Sequence, residues 1–119
     1  MPYRNVVAKE LADLLGVLSH PARVRIVEEL GPAERDVNAL QAILGITHSG
    51  VSQHLAVLRA HRLVAERREG RHVFYCLRQP RLAVWLADAM RFLEEEEAAA
   101  AGERRRAIRR ARSAWPAAG

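Results

Sequence analysis

The chain of 119 residues has one cysteine and few aromatic residues, and it lacks any long apolar run. The single cysteine, Cys76, excludes an internal disulfide and any metal site built from paired cysteines. Because half of the residues are apolar but only 5% are aromatic, we expect an aliphatic core. No run approaches the ~18 apolar residues of a membrane span, and the first residues lack an apolar signal segment. The composition therefore predicts one folded domain, located in the cytoplasm, with no membrane association.

Lysine is nearly absent as well, so arginine supplies 18 of the 19 basic residues. The net charge of +5 is concentrated in two regions. Residues 48–81 carry seven arginines and two carboxylates, and residues 98–119 carry six arginines and one carboxylate. Residues 82–97, which lie between them, are acidic. Since planar guanidinium groups suit phosphate oxygens and guanine edges, this distribution favours a nucleic-acid partner.

Apolar periodicity and breaker residues predict five helices. In sequence order they cover residues 5–18, 21–30, 37–44, about 48–61 and about 81–97. Pro21 suits the first position of the second helix, because its missing amide would be unpaired there in any case. We expect Asp36 to cap the third helix and Gly45 to end it in the left-handed conformation. Arg23 and Arg25, on the second helix, are expected to be solvated.

The third and fourth helices are joined by the short turn Gly45-Ile46-Thr47, which is the spacing of a helix-turn-helix unit. Thr47 can cap the fourth helix, and Val51, Leu55 and Leu58 form its buried stripe. The other side of that helix carries side chains able to hydrogen-bond: His48, Ser49, Ser52, Gln53 and Arg59. A short helix of this kind can enter the major groove of DNA. An ordinary amphipathic surface helix is the alternative interpretation of this segment.

After His61 the apolar period changes to that of β-strands. Residues 63–68 and 72–77 flank a loop with a central glycine, Glu69-Gly70-Arg71, which predicts a hairpin. Its tip is basic and carries Arg67, Arg68, Arg71 and His72. A short helix, a glycine turn, a polar-faced helix and a basic hairpin, in that order, make a winged helix-turn-helix. Simple solvation of charged turn residues is the alternative explanation of the tip.

The last helix has a broader apolar side than a lone domain of this size can cover. We therefore expect a homodimer in which the first and last helices pack against a second copy of the chain. The predicted dimer interface consists of Val7, Leu11, Leu14, Leu82, Trp85, Leu86, Ala89, Met90 and Leu93. From Ala98 onward the composition turns to alanine, arginine, glutamate and glycine. We predict a DNA-binding and dimerisation domain over residues 1–97 and a flexible Ala/Arg-rich tail over residues 98–119. Extension of the last helix through the Ala/Arg run is the alternative, against which Gly102 and the lack of an apolar stripe argue.

These motifs resemble the ArsR/SmtB family of small dimeric winged-helix transcriptional regulators. Residues 18–27, Leu-Ser-His-Pro-Ala-Arg-Val-Arg-Ile-Val, look like the opening signature of the family. Residues 44–58 match its helix-turn-helix almost position for position, and residues 68–75 match its wing. The resemblance runs from about Leu11 to Leu93. It implies a mainly α protein with a small β-hairpin, dimeric through its first and last helices, that binds a near-palindromic operator and by default represses transcription.

The resemblance places the DNA contacts in the fourth helix and the wing. The expected DNA-binding residues are Thr47, His48, Ser49, Gly50, Ser52, Gln53, His54, Arg59, Arg67, Arg68, Arg71 and His72. Ser49, Ser52 and Gln53 are expected to read base edges, with Gly50 allowing close approach. Thr47, His48 and the arginines are expected to contact the DNA backbone, those of the wing on the flanking DNA.

The usual metal-binding motifs of the family are missing from this chain. Where many members have Cys-Val-Cys before the recognition helix, this sequence has Asp36-Val37-Asn38. No histidine follows His72, so the last helix lacks the histidines of the family's other metal site. His54 lies near the apolar edge of its helix, where packing is a commoner role than metal binding. We therefore assign no metal or cofactor site. Effector sensing falls either to an atypical site for nickel or zinc or to a separate sensor protein.

Two other classes of function compete with a DNA-binding regulator. A winged-helix module that binds proteins without binding an operator is the main alternative, in which the arginines of residues 98–119 dock an acidic partner. An enzyme is the weakest hypothesis, because the sequence has no recognisable Ser/His/Asp set, paired catalytic carboxylates or cofactor loop. We predict that the protein is not an enzyme.

Overall fold

The computed structural model of the chain describes residues 1–116. Its elements are α1 (Pro2–Val17), α2 (Pro21–Leu30), α3 (Val37–Leu44), α4 (His48–Ala60), β1 (Val64–Glu69), β2 (His72–Leu77) and α5 (Arg81–Ala114). The two strands form one antiparallel sheet, so the predicted fold of five helices with a two-stranded wing is confirmed. Residues 1–86 form one compact unit, and the residues from Ala87 onward form a second.

The core of the first unit is made of aliphatic side chains, as the composition predicts. Its buried members are Val17, Leu18, Ile26, Val27, Leu30, Leu40, Val51, Leu55, Leu58, Val64 and Leu77. Most of them come from α2, α3 and α4, and the last two come from the base of the hairpin. The helix-turn-helix and the wing therefore share one interior, which fixes α4 relative to the hairpin.

Local hydrogen bonds set the ends of α3 and α4. Oδ1 of Asp36 accepts a bond from the Ala39 amide at 2.7 Å, which begins α3. Gly45 closes α3 with φ 69° and ψ 27°, a conformation that costs glycine little because it has no Cβ. Oγ1 of Thr47 accepts a bond from the Gly50 amide at 3.0 Å, which begins α4. All three predicted caps are confirmed.

The hairpin keeps one register along its whole length. The pairs run from Val64–Leu77 at the base to Glu69–His72 at the tip. Gly70, with φ 63°, and Arg71 remain as a two-residue turn. Because the turn is this short, Arg71 projects from the end of the wing.

Arg35, in the loop before α3, holds the wing to the helices. Its amide donates to the Tyr75 carbonyl oxygen at 3.1 Å, and the Tyr75 amide donates back to the Arg35 carbonyl oxygen at 2.8 Å. The Arg35 side chain turns the other way, and its Nε donates to the Glu29 carbonyl oxygen at 2.8 Å near the end of α2. One residue thus links β2, the start of α3 and the end of α2.

The first helix begins at Pro2, earlier than predicted, because proline is tolerated at the first helical position. It contributes only Val17 to the buried core, so most of its apolar side chains remain exposed. Even so, among residues 1–116 we find no helix with the length and apolar content needed to span a membrane.

The last helix is longer than predicted. We expected it to end near Glu97 and to be followed by a flexible tail, but residues 98–114 continue the helix to Ala114. That expectation was wrong because alanine and arginine are strong helix formers, and the ~1 kcal/mol cost of one glycine, Gly102, does not offset them. Residues 117–119 of the expected tail lie outside the described part of the chain. The domain boundary at 97/98 stays a prediction.

Candidate nucleic-acid interface

The first two turns of α4 present an exposed polar surface. His48, Ser49 and Gln53 are exposed, and Ser52 is half-buried. The opposite side of the helix carries its three buried anchors, Val51, Leu55 and Leu58. The N-terminus of a helix also carries unpaired amide donors and a partial positive charge. This surface can therefore hydrogen-bond through side chains and attract an anion through the backbone.

Thr47 and Gly50 shape the start of this surface together. Besides accepting the Gly50 amide, Oγ1 of Thr47 lies 3.4 Å from Oγ of Ser49. A Cβ atom added to Gly50 would lie 3.0 Å from Oγ1 of Thr47, which is tighter than ordinary contact. The missing side chain of Gly50 therefore makes room for the cap of α4, a role that the sequence reasoning did not assign to it.

His54 is separated from the exposed polar surface and lies against α2. Its Nδ1 accepts a hydrogen bond from Nε of Arg23 at 3.2 Å, and Nη1 of Arg23 donates to the Val17 carbonyl oxygen at 3.1 Å. Burial, followed by the charges of Arg23 and His20, lowers the pKa of His54. The expectation that Arg23 is solvated was wrong, because its half-buried guanidinium bridges α1 and α4. His54 packs here, although the sequence placed it among the DNA contacts.

Arg67 is engaged by carboxylates. Its Nε donates to both oxygens of Glu34 at 3.2 and 3.0 Å, and its Nη1 donates to Glu69 at 3.2 Å. Its guanidinium carbon also lies 4.9 Å from the centre of the Phe74 ring. The bonds to Glu34 and then Glu69 raise the pKa of Arg67. The charge of Arg67 is compensated within the protein, which makes it a poorer phosphate ligand than an unpaired arginine.

Glu66 pairs with two more of the arginines that are predicted to contact DNA, Arg59 and Arg68, but not with Arg71. Its Oε2 lies 2.7 Å from Nη1 of Arg59, and its Oε1 lies 4.0 Å from Nη2 of Arg68. The Arg68 side chain is 72% exposed, so its long contact with Glu66 is weak. Within residues 1–116, Arg71 has no carboxylate at ion-pair distance. Arg68 and Arg71 are thus the accessible cations of the wing.

The start of β2 is tied to the start of α3. Nε2 of His72 donates to Oδ2 of Asp36 at 2.6 Å, while the other carboxylate oxygen caps α3. The bond from the Ala39 amide, followed by the bond from His72, lowers the pKa of Asp36. Asp36 and His72 line one shallow depression together with His48 and Arg71. The His72–Asp36 bond thus lies in the same surface depression as His48, the first residue of α4, and Arg71 at the tip of the wing.

The predicted dimer residues divide into two groups. Leu14, Leu82 and Leu86 pack against the core of their own chain. The exposed group consists of Val7, Leu11, Trp85, Ala89, Met90 and Leu93. Apolar side chains that the sequence analysis did not select are exposed on the same two helices: Tyr3, Val6, Leu15, Val84 and Phe92. Both α1 and α5 therefore carry uncovered apolar surface.

The fold is shared with solved regulators. The crystal structure of a Mycobacterium tuberculosis protein superposes on this chain with a TM-score of 0.74 and 35% identity, and the match covers 80% of this chain and 96% of that protein chain. A second match is a homodimeric winged helix-turn-helix DNA-binding domain from Mycobacterium bovis, a possible ArsR-family transcriptional regulator. That match covers 78% of this chain and 86% of the M. bovis chain. Its TM-score is 0.69 and its identity is 25%.

Sequence comparison decides the family. Residues 18–67 match the helix-turn-helix domain family. The same M. tuberculosis protein, an uncharacterized HTH-type transcriptional regulator, is 40% identical over 83 residues, which are 69% of this chain and 73% of that protein. A transcriptional repressor SmtB homolog of Synechocystis is 39% identical over 70 residues, which are 59% of this chain and 53% of that protein. The chain belongs to the ArsR/SmtB family.

As an ArsR/SmtB protein the chain is a transcriptional regulator and not an enzyme. At the position of the family's Cys-Val-Cys segment, Asp36-Val37-Asn38 has a structural use. Asp36 is taken up by the α3 cap and by His72, and Val37 packs against the core. In the described residues no group of three or more histidine, cysteine or acidic side chains is arranged to hold a metal ion.

Two features of this ArsR/SmtB interface escaped sequence reasoning. The contact between Arg23 and His54 joins residues 31 positions apart, and its only sequence signal was the arginine of the family's opening signature. Arg62, just after α4, adopts φ 61°, which is uncommon outside glycine and has no local signal. The amide of the next residue, Leu63, donates to the Leu58 carbonyl oxygen at 2.9 Å. The chain therefore turns sharply out of α4 into the wing.

The lowered pKa of His54 predicts a loss of stability in mild acid. Below about pH 6.5 the unfolded chain protonates this imidazole while the folded chain resists, so the free energy of unfolding falls until the lowered folded pKa is reached. His54→Gln should flatten the curve of Tm against pH in this window. The matched variant His61→Gln makes the same substitution at an exposed position at the end of α4, and it controls for the loss of a histidine from this helix. Parallel curves for His54→Gln and the wild type would contradict the assignment.

Proposed function

We propose that this ArsR/SmtB protein is a homodimeric repressor that binds a near-palindromic operator through α4 and the wing. The observation that carries the proposal is the division of α4 into a buried aliphatic side and an exposed polar N-terminal end. A helix held rigidly on one side can place Ser49, Ser52 and Gln53 against base edges in the major groove. Thr47, His48 and the start of the helix then face the phosphate backbone.

The wing contributes flanking contacts in this proposal. Arg71 at the turn and the exposed Arg68 are the wing cations with the least compensation inside the protein. An arginine without an internal carboxylate partner can form a bidentate pair with a phosphate group without first breaking another pair. Arg67 and Arg59 contribute less because Glu34, Glu69 and Glu66 already engage them.

The homodimer is supported by uncovered apolar surface on both predicted dimer helices. Val7 and Leu11 on α1 are each 51% exposed, and Leu93 on α5 is 66% exposed. Large exposed apolar side chains on a helix are typical of an interface. The M. bovis relative is described as homodimeric, and two-fold symmetry would match a near-palindromic operator.

Effector sensing in this proposal does not use the position of the family's thiolates, because Asp36 is already bonded there. It falls either to an atypical nickel or zinc site or to a separate sensor protein. Titration of the DNA-bound protein with each metal, then with products of neighbouring genes, separates these routes. Release by metal alone assigns sensing to this chain, and release only with a second protein assigns it to the partner.

Gln53→Ala is expected to weaken operator binding much more than binding to random-sequence DNA. The amide of Gln53 can pair with adenine at two points, and the loss of such a contact costs about 1–3 kcal/mol of discrimination. The measurement is the ratio of the two dissociation constants at one salt concentration. Equal losses on both DNAs would contradict a base-reading role. The alternative of a protein-interaction module is favoured only if the unsubstituted chain shows no operator-scale affinity at physiological salt.

Arg71→Ala should reduce the salt dependence of DNA binding. The slope of log K against log salt is negative, and each lost phosphate contact makes it shallower by about 0.9 per subunit. Arg67→Ala is the matched control, because it removes the same charge from the same hairpin but from an arginine held by Glu34 and Glu69. We expect a smaller change in slope for the control. The proposal for the wing fails if Arg71→Ala leaves the slope unchanged.

A further inference from the structure

The last three turns of α5 carry the densest positive charge in the chain. Residues 104–112, the basic segment, include Arg104, Arg105, Arg106, Arg109, Arg110 and Arg112. All six side chains are exposed. In the part of the chain that the structure describes, none of them lies at ion-pair distance from a carboxylate. The proposed function uses α4 and the wing, and it gives the basic segment no role.

The stability of the helix does not explain the basic segment. Arginines four residues apart, such as Arg105 and Arg109, are neighbours on the helix surface, and like charges at this spacing destabilise a helix. Glu103 is the only carboxylate within four residues of the segment. The helix dipole favours a cation in the last turn, where Arg112 lies, but this effect does not extend to earlier turns. An external anion that offsets the repulsion would therefore stabilise this end of α5.

The charge density of the basic segment is close to that of duplex DNA. At 1.5 Å per residue the segment is about 12 Å long, so its six arginines place one positive charge about every 2 Å. Duplex DNA carries one phosphate charge per about 1.7 Å of its axis. The planar guanidinium group of arginine can also donate to two oxygens of one phosphate. Both the density and the type of charge therefore suit a phosphate backbone.

The arginines cover a wide side of the helix. At about 100° per residue, five of them span an arc of about 160°: Arg105, Arg106, Arg109, Arg110 and Arg112. Ile108 and Ala111 lie outside this arc. A flat acidic protein surface would contact only part of so wide an arc. A helix in the major groove of DNA has the phosphates of one strand on each side, so cations across the whole arc can be used. The arc therefore favours duplex DNA over an acidic protein.

The glutamates earlier in α5 restrict the part of the helix that can approach DNA. Residues 94–97 are four glutamates, which phosphates repel. Glu97 and Arg104 are seven residues apart, about 10 Å along the axis. Because charge interactions at physiological salt are screened over about 8 Å, this repulsion is weak at the basic segment. Contact with DNA is thus confined to the last turns of α5, beyond the predicted dimer residue Leu93.

We propose that residues 104–112 are a second DNA-binding element, which contacts the phosphates of duplex DNA without reading its sequence. The inference rests on the proposed function, since the same DNA is bound, and it adds cations of α5 to those of the wing. Phosphates are the same in every sequence, so these contacts raise the affinity for any duplex. Discrimination between sequences stays with α4.

Removal of two charges from the arc tests the inference. In the full chain, Arg105→Gln combined with Arg109→Gln should retain α5, because glutamine forms helices about as well as arginine. The slope of log K against log salt on random-sequence duplex DNA should become shallower by about 1.8 per bound subunit. Between about 50 and 200 mM salt, the variant should therefore lose about tenfold less affinity per bound subunit than the unsubstituted chain.

Two matched variants accompany this measurement. Arg81→Gln combined with Arg91→Gln removes two charges from the first part of α5, where Arg91 pairs with Asp88 at 3.4 Å, and should keep the original slope. Arg105→Lys combined with Arg109→Lys keeps both charges and should also keep it. An unchanged slope in the glutamine variant of the arc, or an equal change in the Arg81 and Arg91 variant, would overturn the proposal. An unchanged slope with loss of binding to poly-L-glutamate would instead assign the basic segment to an acidic protein.

Sequence discrimination separates this inference from the proposed function. The ratio of dissociation constants for random-sequence DNA and a duplex selected for tight binding should be the same with and without the substitutions at Arg105 and Arg109. Gln53→Ala should lower that ratio. If Gln53→Ala and Arg71→Ala act as expected but the arc variant keeps the original slope, only this inference fails. A chain that binds no duplex at physiological salt would overturn both, and a lowered ratio in the arc variant would contradict contacts restricted to phosphates.

Discussion

The burial of Val51, Leu55 and Leu58 is the interaction on which the rest of the interface depends. These side chains hold α4 against the core formed with α2, α3 and the base of the wing. Each fully buried aliphatic side chain contributes about 1.5–3 kcal/mol relative to an exposed one. That rigid attachment leaves the polar side of the first two turns of α4 exposed. A small regulator can therefore expose Ser49 and Gln53 in a fixed position.

Internal ion pairing decides which basic residues remain available on this frame. The sequence shows a basic hairpin, but Glu34, Glu69 and Glu66 compensate Arg67 and Arg59. Arg71 lies at the turn of the wing and lines the same surface depression as His48. Fewer cations in the helix-turn-helix and wing are therefore available to a ligand than the count of basic residues indicates. Those that remain lie at the tip of the wing, beside the N-terminus of α4.

Local signals explain what could be predicted from the sequence. The caps at Asp36, Gly45 and Thr47 depend on residues within three or four positions, so residue type and spacing were enough to place α3 and α4. The buried stripe of α4, formed by Val51, Leu55 and Leu58, followed from periodicity in the same way. These features cover the fold and the exposed end of α4.

Contacts between distant residues explain what could not be predicted. His54 and Arg23 are 31 positions apart, Arg67 and Glu34 are 33 apart, and His72 and Asp36 are 36 apart. Each contact engages a predicted DNA-binding residue within the protein, and none has a local pattern. The length of α5 differs from the prediction for another reason: the segment after Glu97 has few apolar residues, which is typical of a tail, but its alanines and arginines favour a helix.

In the proposed homodimer, two copies of α4 read DNA at a fixed spacing. This spacing can be measured by selecting bound duplexes from a random-sequence pool with the full chain and sequencing them. We expect enrichment of an inverted repeat whose half-sites are centred about 10–10.5 base pairs apart, or a multiple of that distance. Recovery of duplexes with no shared sequence, or of a single unrepeated site, would contradict it.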